Sequence, residues 1–183
     1  MKLVKKKFFC SFDKNYSIFT KFSNLTKYKE IEIIKKYNDN FINVGSNLSY
    51  APLAFSKKST TIFLDKFNRI LNFNLKNKEI TVEAGITFAE LLEFTLKYNL
   101  WIPQIPGYPF ITLGGAIASN AHGKSCANDG SIRNSIKSIK IFHKKNGWLN
   151  LSNKENKEIF ELTLGGIGLT GTIVNVTLKL KKI

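Results

Sequence analysis

The chain is poor in the residues that mark most chemistries. It has two cysteines, Cys10 and Cys126, and two histidines, His122 and His143, in 183 residues. The cysteines stand far apart, and no Cys or His spacing matches a metal site, so no metal centre is expected and both thiols should be free and reduced. Arginine is nearly absent, with Arg69 and Arg133 against a large surplus of lysine, and acidic residues number only 13. No apolar run approaches the ~18 residues of a membrane-spanning helix. The apolar stretch behind the basic Met1–Lys7 (Phe8, Phe9, Cys10) is too short for a secretory leader. These absences point to a protein made and kept in the cytoplasm.

Apolar residues make up 43% of the chain, enough to bury a core and to exclude wholesale disorder. The net charge is +15. Such a surplus attracts phosphorylated ligands, anionic lipid or nucleic acid. The lysines are scattered rather than blocked, and no helix-turn-helix, zinc finger or RNA-recognition motif accompanies them, so nucleic acid is not expected as a partner. Peripheral contact with a membrane stays open.

Strands are predicted over Ser17–Phe22, Phe41–Val44 and Thr60–Leu64, with a helix from a cap at Asn24 or Thr26 to about Tyr37. Ile70–Asn74 and Glu79–Glu83 read as a hairpin, and Phe88–Tyr98 as a helix capped by Thr87. Ile136–His143 and Trp148–Leu151 read as strands joined at Asn146-Gly147. A short helix over Asn156–Leu164 and a strictly alternating strand over Thr172–Leu180 close the chain. The class is α+β, a βαβ start followed by mostly antiparallel strands.

Three glycine-bearing segments carry the functional reading. Gly45-Ser46-Asn47-Leu48-Ser49-Tyr50 leaves a buried strand as a turn of small polar residues, which exposes successive N–H groups to an anion such as a diphosphate. Between Gly107 and Lys124 the chain reads GYPFITLGGAIASNAHGK. The tiny side chains of Gly114–Ala121 let a backbone lie close against a flat ligand, with Asn120 and His122 offering polar groups. Gly165-Gly166-Ile167-Gly168-Leu169-Thr170-Gly171 superficially matches a dinucleotide fingerprint, but it precedes a strand rather than a helix, which argues against a Rossmann site.

In order and content these segments resemble the FAD-binding (PCMH-type) domain of the vanillyl-alcohol oxidase/p-cresol methylhydroxylase flavoproteins. The block PGYPFITLGGAIASNAHGKS, the following DGSIRNSIKSIKIF, and GGIGLTGTIVNVTL are similar to the branch holding decaprenylphosphoryl-ribose oxidase and the aldonolactone oxidases. The resemblance runs from about Ser17 to the C-terminus. It implies a two-subdomain fold clasping FAD, residues 17–84 and 85–183, behind an N-terminal extension of residues 1–16. It implies that Gly45, Ser46, Asn47, Leu48, Ser49 and Tyr50 form the diphosphate loop. Gly107, Thr112, Leu113, Gly114 and Gly115 would line the middle of the cofactor. Ser119, Asn120, Ala121 and His122 would run beside the diphosphate, ribityl chain and flavin ring, and Ile173 would meet the adenine end.

The implied activity is oxidation of a carbinol in a sugar, polyol or aldonolactone by hydride transfer to the flavin. No residue stands out as the base; Tyr50, His122 and Lys124 are the nearest candidates, while His143 reads as a surface residue. Two departures matter. Leu48 stands where relatives often carry a histidine bonded covalently to the flavin, which predicts non-covalent FAD. Ser49-Tyr50-Ala51-Pro52 replaces a common Ser-Tyr-Gly-Asp. Relatives continue into a substrate domain, and this chain stops at Ile183. The expectation is therefore a cofactor-binding half, or a non-catalytic FAD-binding fragment, that works with a separately encoded substrate domain.

Overall fold

A computed structural model describes residues 4–33, 40–50, 53–124 and 126–183. The chain falls into two compact units, Met1–Lys66 and Phe67–Ile183.

The first unit is built on a four-stranded sheet of order β1-β2-β4-β3. Its strands are β1 (Lys5–Cys10), β2 (Ser17–Asn24), β3 (Asn40–Val44) and β4 (Ser59–Phe63). β1 and β2 form an antiparallel hairpin, while β4 runs parallel to both β2 and β3. Residues 5–10, read from sequence as part of an extension, thus form an edge strand of the sheet. Alternation in β2 turns Ile18 and Thr20 inward, where Phe9, Val44 and Phe55 complete a small core. α1 (Tyr28–Ile33) buries Ile31. The Glu30 carboxylate reaches back to the N–H groups of Thr26 and Lys27, satisfying donors that the first helical turn leaves open. The rest of the helix expected to Tyr37 lies outside the described residues. β3 is less buried than its apolar sequence suggested: only Val44 is fully inside, because the strand lies at the sheet edge.

The second unit carries a five-stranded antiparallel sheet of order β5-β6-β10-β8-β9. It comprises β5 (Ile70–Asn74), β6 (Glu79–Glu83), β8 (Ile136–His143), β9 (Gly147–Ser152) and β10 (Thr172–Lys179); a two-stranded ribbon joins β7 (Leu100–Trp101) to β11 (Lys181–Lys182). The boundary near residue 84 expected from sequence moves to Lys66, because β6 pairs with β10 along Glu79–Glu83 and draws the β5–β6 hairpin into the second unit. α2 (Phe88–Thr95) buries Phe88, Leu91 and Thr95 on one face, and Thr87 and Glu90 make the reciprocal capping box at its start. It ends in a 3₁₀ turn, Leu96–Tyr98, closed by Asn99 in the left-handed region. α3 (Leu113–Ala118), α4 (Cys126–Asp129) and α5 (Lys157–Thr163) complete the set. One side of the sheet, α2 and α3 share a core that includes Ile80, Val82, Leu91, Leu113, Ile117 and Val176. Each fully buried side chain of this size stabilises by about 2 kcal/mol relative to leaving it in water.

Among the described residues no helix is long and apolar enough to cross a membrane, and no group of His, Cys, Asp and Glu could hold a metal ion. Cys10 is a free thiol. The Cys126 side chain lies outside the described part. His143 accepts a hydrogen bond from the Asn146 N–H at 3.1 Å, so it braces the β8–β9 turn and is half-buried rather than fully exposed.

Candidate cofactor site

The loop after β3 is held from outside. The Asn47 amide donates to the Cys10 carbonyl at 3.1 Å. The Phe12 N–H donates to the Ser49 carbonyl at 3.1 Å. The Phe12 ring meets Tyr50 edge-on, with centroids 5.3 Å apart. All three anchors come from the end of β1 and the turn behind it. That turn is itself locked by Asp13, whose carboxylate accepts from Ser11 and Asn15. The Ser11 hydroxyl bond pulls the Asp13 carboxyl below its usual pKa despite a small opposing burial effect. This hairpin is the functional element that sequence reasoning missed. β-Branched residues are scarce in KKKFFC, and the lysines read as a tail.

Held this way, the loop keeps its own donors open. Among the described residues none accepts a hydrogen bond from the N–H of Gly45, Asn47, Leu48 or Ser49. Asn47 sits at φ +55, the left-handed region that Asn tolerates better than most residues. A run of unspent N–H groups in a half-exposed turn is what an anion needs. Tyr50 is exposed, and Ala51 and Pro52 lie outside the described residues.

The glycine-rich block of the second unit is built the opposite way. α3 starts at Thr112, whose hydroxyl accepts from the Gly115 N–H at 3.3 Å. The Leu113 N–H is spent on the Ile86 carbonyl and that of Gly114 on Ala84, at 2.8 and 2.7 Å. The N–H groups of Ala116, Ser119, Asn120 and Ala121 are also bonded within the block. Gly114 is required by this closeness: a Cβ there would lie 3.0 Å from the Ala84 carbonyl oxygen and 3.1 Å from its Cβ. Leu113–Ala121 therefore presents side chains to a ligand rather than backbone donors.

The sequence-predicted contacts divide accordingly. Thr112, Leu113 and Ile173 are buried in the core at 3%, 0% and 6% exposure, so a ligand can reach at most their main chain. Gly107, Gly115, Ser119 and His122 are exposed, and Asn120 and Ala121 are partly so. Asn120 is in the left-handed region at φ +47. Its Oδ1 is buried and has no hydrogen-bond partner among the described residues. An orphaned acceptor of this kind costs about 1–3 kcal/mol unless a ligand or water serves it. His122 Nδ1 lies 3.2 Å from the Gly123 carbonyl. Lys124 and Gly107 share the wall of a depression of about 370 Å³ with Leu92, Trp101, Ile105 and Pro106.

The loop Gly165–Gly171 closes over the C-terminal end of α3. Gly165 and Ile167 donate their N–H groups to the Ile117 and Ala118 carbonyls. Ile167 takes φ +51, a costly conformation for a β-branched residue. Gly166 cannot be replaced freely, since a Cβ would fall 2.0 Å from the Leu162 carbonyl oxygen. The segment stands between α5 and β10 and opens no helix, as its sequence context implied.

In the first unit the open N–H groups of Gly45, Asn47, Leu48 and Ser49 suit an anion such as a diphosphate; in the second, the unsatisfied Asn120 acceptor and the open approach at Gly107, where a Cβ would meet nothing within 4 Å, suit a ligand bearing hydroxyls. Residues 28–152 match the family model described as FAD binding domain. The chain belongs to the FAD binding domain family. Among curated FAD-domain relatives, decaprenylphosphoryl-beta-D-ribose oxidase of Mycolicibacterium smegmatis is 30% identical over 137 residues, 74% of this chain and 30% of that protein. L-galactono-1,4-lactone dehydrogenase 2, mitochondrial, of Oryza sativa subsp. japonica is 30% identical over 136 residues, 74% of this chain and 23% of that protein. A solved structure of alkyldihydroxyacetonephosphate synthase superposes with a TM-score of 0.84 at 19% identity, covering 99% of this chain and 38% of that one. The likeness to that structure shows the α+β FAD-domain fold; this chain spans about a third or less of the relatives it matches.

Proposed function

We propose that this FAD-binding chain is the cofactor-holding part of an oxidoreductase acting on a carbinol of a sugar, polyol or aldonolactone, with substrate choice made by residues of a separate substrate domain. The observation that carries the reading is the set of open N–H groups at Gly45, Asn47, Leu48 and Ser49 in a chain of this family. When bound, FAD supplies a ring that accepts a hydride. The N–H groups of Gly45, Asn47, Leu48 and Ser49 would hold its diphosphate. Ser119 and Asn120 meet hydroxyls of the ribityl chain. Gly107 and Gly115 allow close approach, while Leu113 and Ile173 hold the backbone behind the cofactor from within the core.

Binding is non-covalent, because the Leu48 side chain offers no nucleophile where relatives often carry a histidine. His122, Tyr50 and Lys124 are exposed groups that can orient a substrate or hold a proton near the ring; each is a positioning candidate rather than a committed base. The test is the visible spectrum of the purified chain before and after acid precipitation. A flavin spectrum whose colour moves into the supernatant is the expected result. Colour retained in the pellet would overturn the non-covalent reading. A colourless chain that takes up no added FAD would overturn the cofactor role.

The lack of a committed base among His122, Tyr50 and Lys124 favours a second reading, a domain that binds FAD without turning over any carbinol on its own. Reduction of the bound flavin by an aldose, polyol or aldonolactone, read as bleaching of its visible absorption, separates the two. Bleaching by the isolated chain would remove this second reading.

A further inference from the structure

The β1–β2 hairpin has one face in the core and one in solvent. Phe9, Ile18 and Thr20 point inward, at 4%, 5% and 5% exposure. On the outward face the register places Phe8 directly opposite Phe19, and Lys6 directly opposite Lys21. The two rings are 63% and 60% exposed. Strands present such large apolar side chains to water only singly as a rule; here two stand side by side on a sheet edge. Lys6 and Lys21 share this face with the rings, and Lys5 and Lys7 are exposed on the other side of the edge strand, where Lys7 Nζ lies 5.8 Å from the Phe9 ring centroid. Residues 5–21 hold five lysines and one acid, Asp13. That acid is occupied in the turn by Ser11 and Asn15.

We propose that this face of the hairpin docks the protein on the surface of an anionic lipid membrane. Apolar rings framed by lysines match an interface in which the rings enter the headgroup boundary and the ammonium groups meet phosphates. The charge complementarity chooses the partner. An ordinary protein interface is depleted of lysine, and this face pairs Lys6 with Lys21 beside its two rings, with Lys5 and Lys7 at the strand edge. Sequence-specific reading of RNA needs side chains that bond base edges, and this face offers lysines and rings alone. A membrane needs no such reading. The hairpin also bonds to the Gly45–Tyr50 loop through Cys10 and Phe12, yet docking requires neither FAD nor substrate.

The full chain is mixed with vesicles of phosphatidylcholine alone, or with about 30% phosphatidylserine, and sedimented. Binding to the anionic vesicles only is expected, weakening steeply at about 0.5 M salt as screening shortens. Phe8→Thr with Phe19→Thr keeps strand-forming residues at both positions and should weaken binding at least tenfold (about tenfold per 1.4 kcal/mol). Lys6→Glu should weaken it about fivefold or more, the equivalent of one lysine near an anionic leaflet. Lys144→Glu with Lys145→Glu, in the β8–β9 turn, is the control and should bind as the parent does. Circular dichroism melts establish that each variant folds. Equal binding to neutral vesicles overturns the proposal, as does unchanged binding by the folded double-Thr variant. A uridine-rich oligonucleotide bound by the parent and lost in the double-Thr variant, with no vesicle binding, assigns the face to single-stranded RNA instead. A concentration-dependent dimer abolished by the same variant, again without vesicle binding, assigns it to a second copy.

Discussion

The loop at Gly45–Tyr50 and the block at Gly107–Lys124 look alike in sequence, both small, polar and glycine-bearing, yet they are built on opposite plans. The loop leaves the N–H groups of Gly45, Asn47, Leu48 and Ser49 open among the described residues and takes its rigidity from a neighbouring hairpin, through Asn47, Ser49 and Tyr50. Within the block, Leu113–Ala121 spends its N–H groups on itself and on Ile86 and Ala84, and it shows a ligand side chains instead. A donor can serve an anion only if the fold has not already used it. Small residues therefore mark two different devices: one an empty cradle, the other a tightly packed rail.

The sharpest break of that contrast comes at the loop that locks the rail. Gly166→Ala puts a Cβ 2.0 Å from the Leu162 carbonyl oxygen, which forces α5 and the 165–171 loop apart. We expect a loss of about 3 kcal/mol, read as a thermal midpoint lower by roughly 6–12 °C. A loss below about 1 kcal/mol would mean that this loop yields easily and the rail is not locked.

The cradle is tested at Asn47. Asn47→Ala removes the amide bond to Cys10 and places alanine at a left-handed φ, together costing about 2 kcal/mol. FAD affinity, measured by fluorescence quenching, should fall about tenfold or more. Asn47→Gly restores the backbone freedom without the bond and should recover part of that loss. If Ala and Gly variants bind alike, the left-handed geometry is irrelevant and the anchor alone matters.

Thr112→Val separates packing from binding within the rail. It deletes the cap on Gly115 and should cost about 1 kcal/mol of stability. FAD affinity should stay within about twofold, since the Thr112 hydroxyl is spent inside the protein. A large loss of FAD binding with unchanged stability would make Thr112 a direct contact.

The smallest effects compare one helix start in each unit. Bonds from the Thr26 N–H, opposed by burial, and from Lys27 lower the Glu30 pKa. At Glu90 burial raises the pKa, but the Thr87 N–H and hydroxyl and the Asn68 amide together outweigh it and leave the group lowered. Both carboxylates are therefore depressed on folding. Their stabilisation is complete above the usual glutamate value of 4.5 and fades as the pH falls below it, through the lower folded values. Glu30→Gln and Glu90→Gln should each flatten the acid limb of a melting curve below about pH 4.5. Unchanged curves would mean that the caps are already frayed.

Much of the second unit was legible from the chain. Strict alternation gave β10 and β8, and Thr87 with Glu90 announced α2. What stayed hidden has physical reasons. α3 was unreadable because LGGAIA has poor helix formers at Gly114 and Gly115; tertiary bonds from Leu113 to Ile86 and from Gly114 to Ala84 hold it. β1 was unreadable because KKKFFC lacks both β-branched residues and a clean period, and only pairing with β2 makes it a strand. Of the site, the small-residue segments could be located by composition. That Thr112, Leu113 and Ile173 turn inward could not, since burial is decided by partners distant in sequence.

The self-contained bonding of α3 has a consequence in isotope chemistry. Amide hydrogens of Leu113, Gly114 and Ala116 can trade with deuterium only when the packed core opens. Those of Gly45, Asn47, Leu48 and Ser49 face no such barrier. The two segments thus carry clocks running at different speeds, and an occupant of the cradle slows only the fast one.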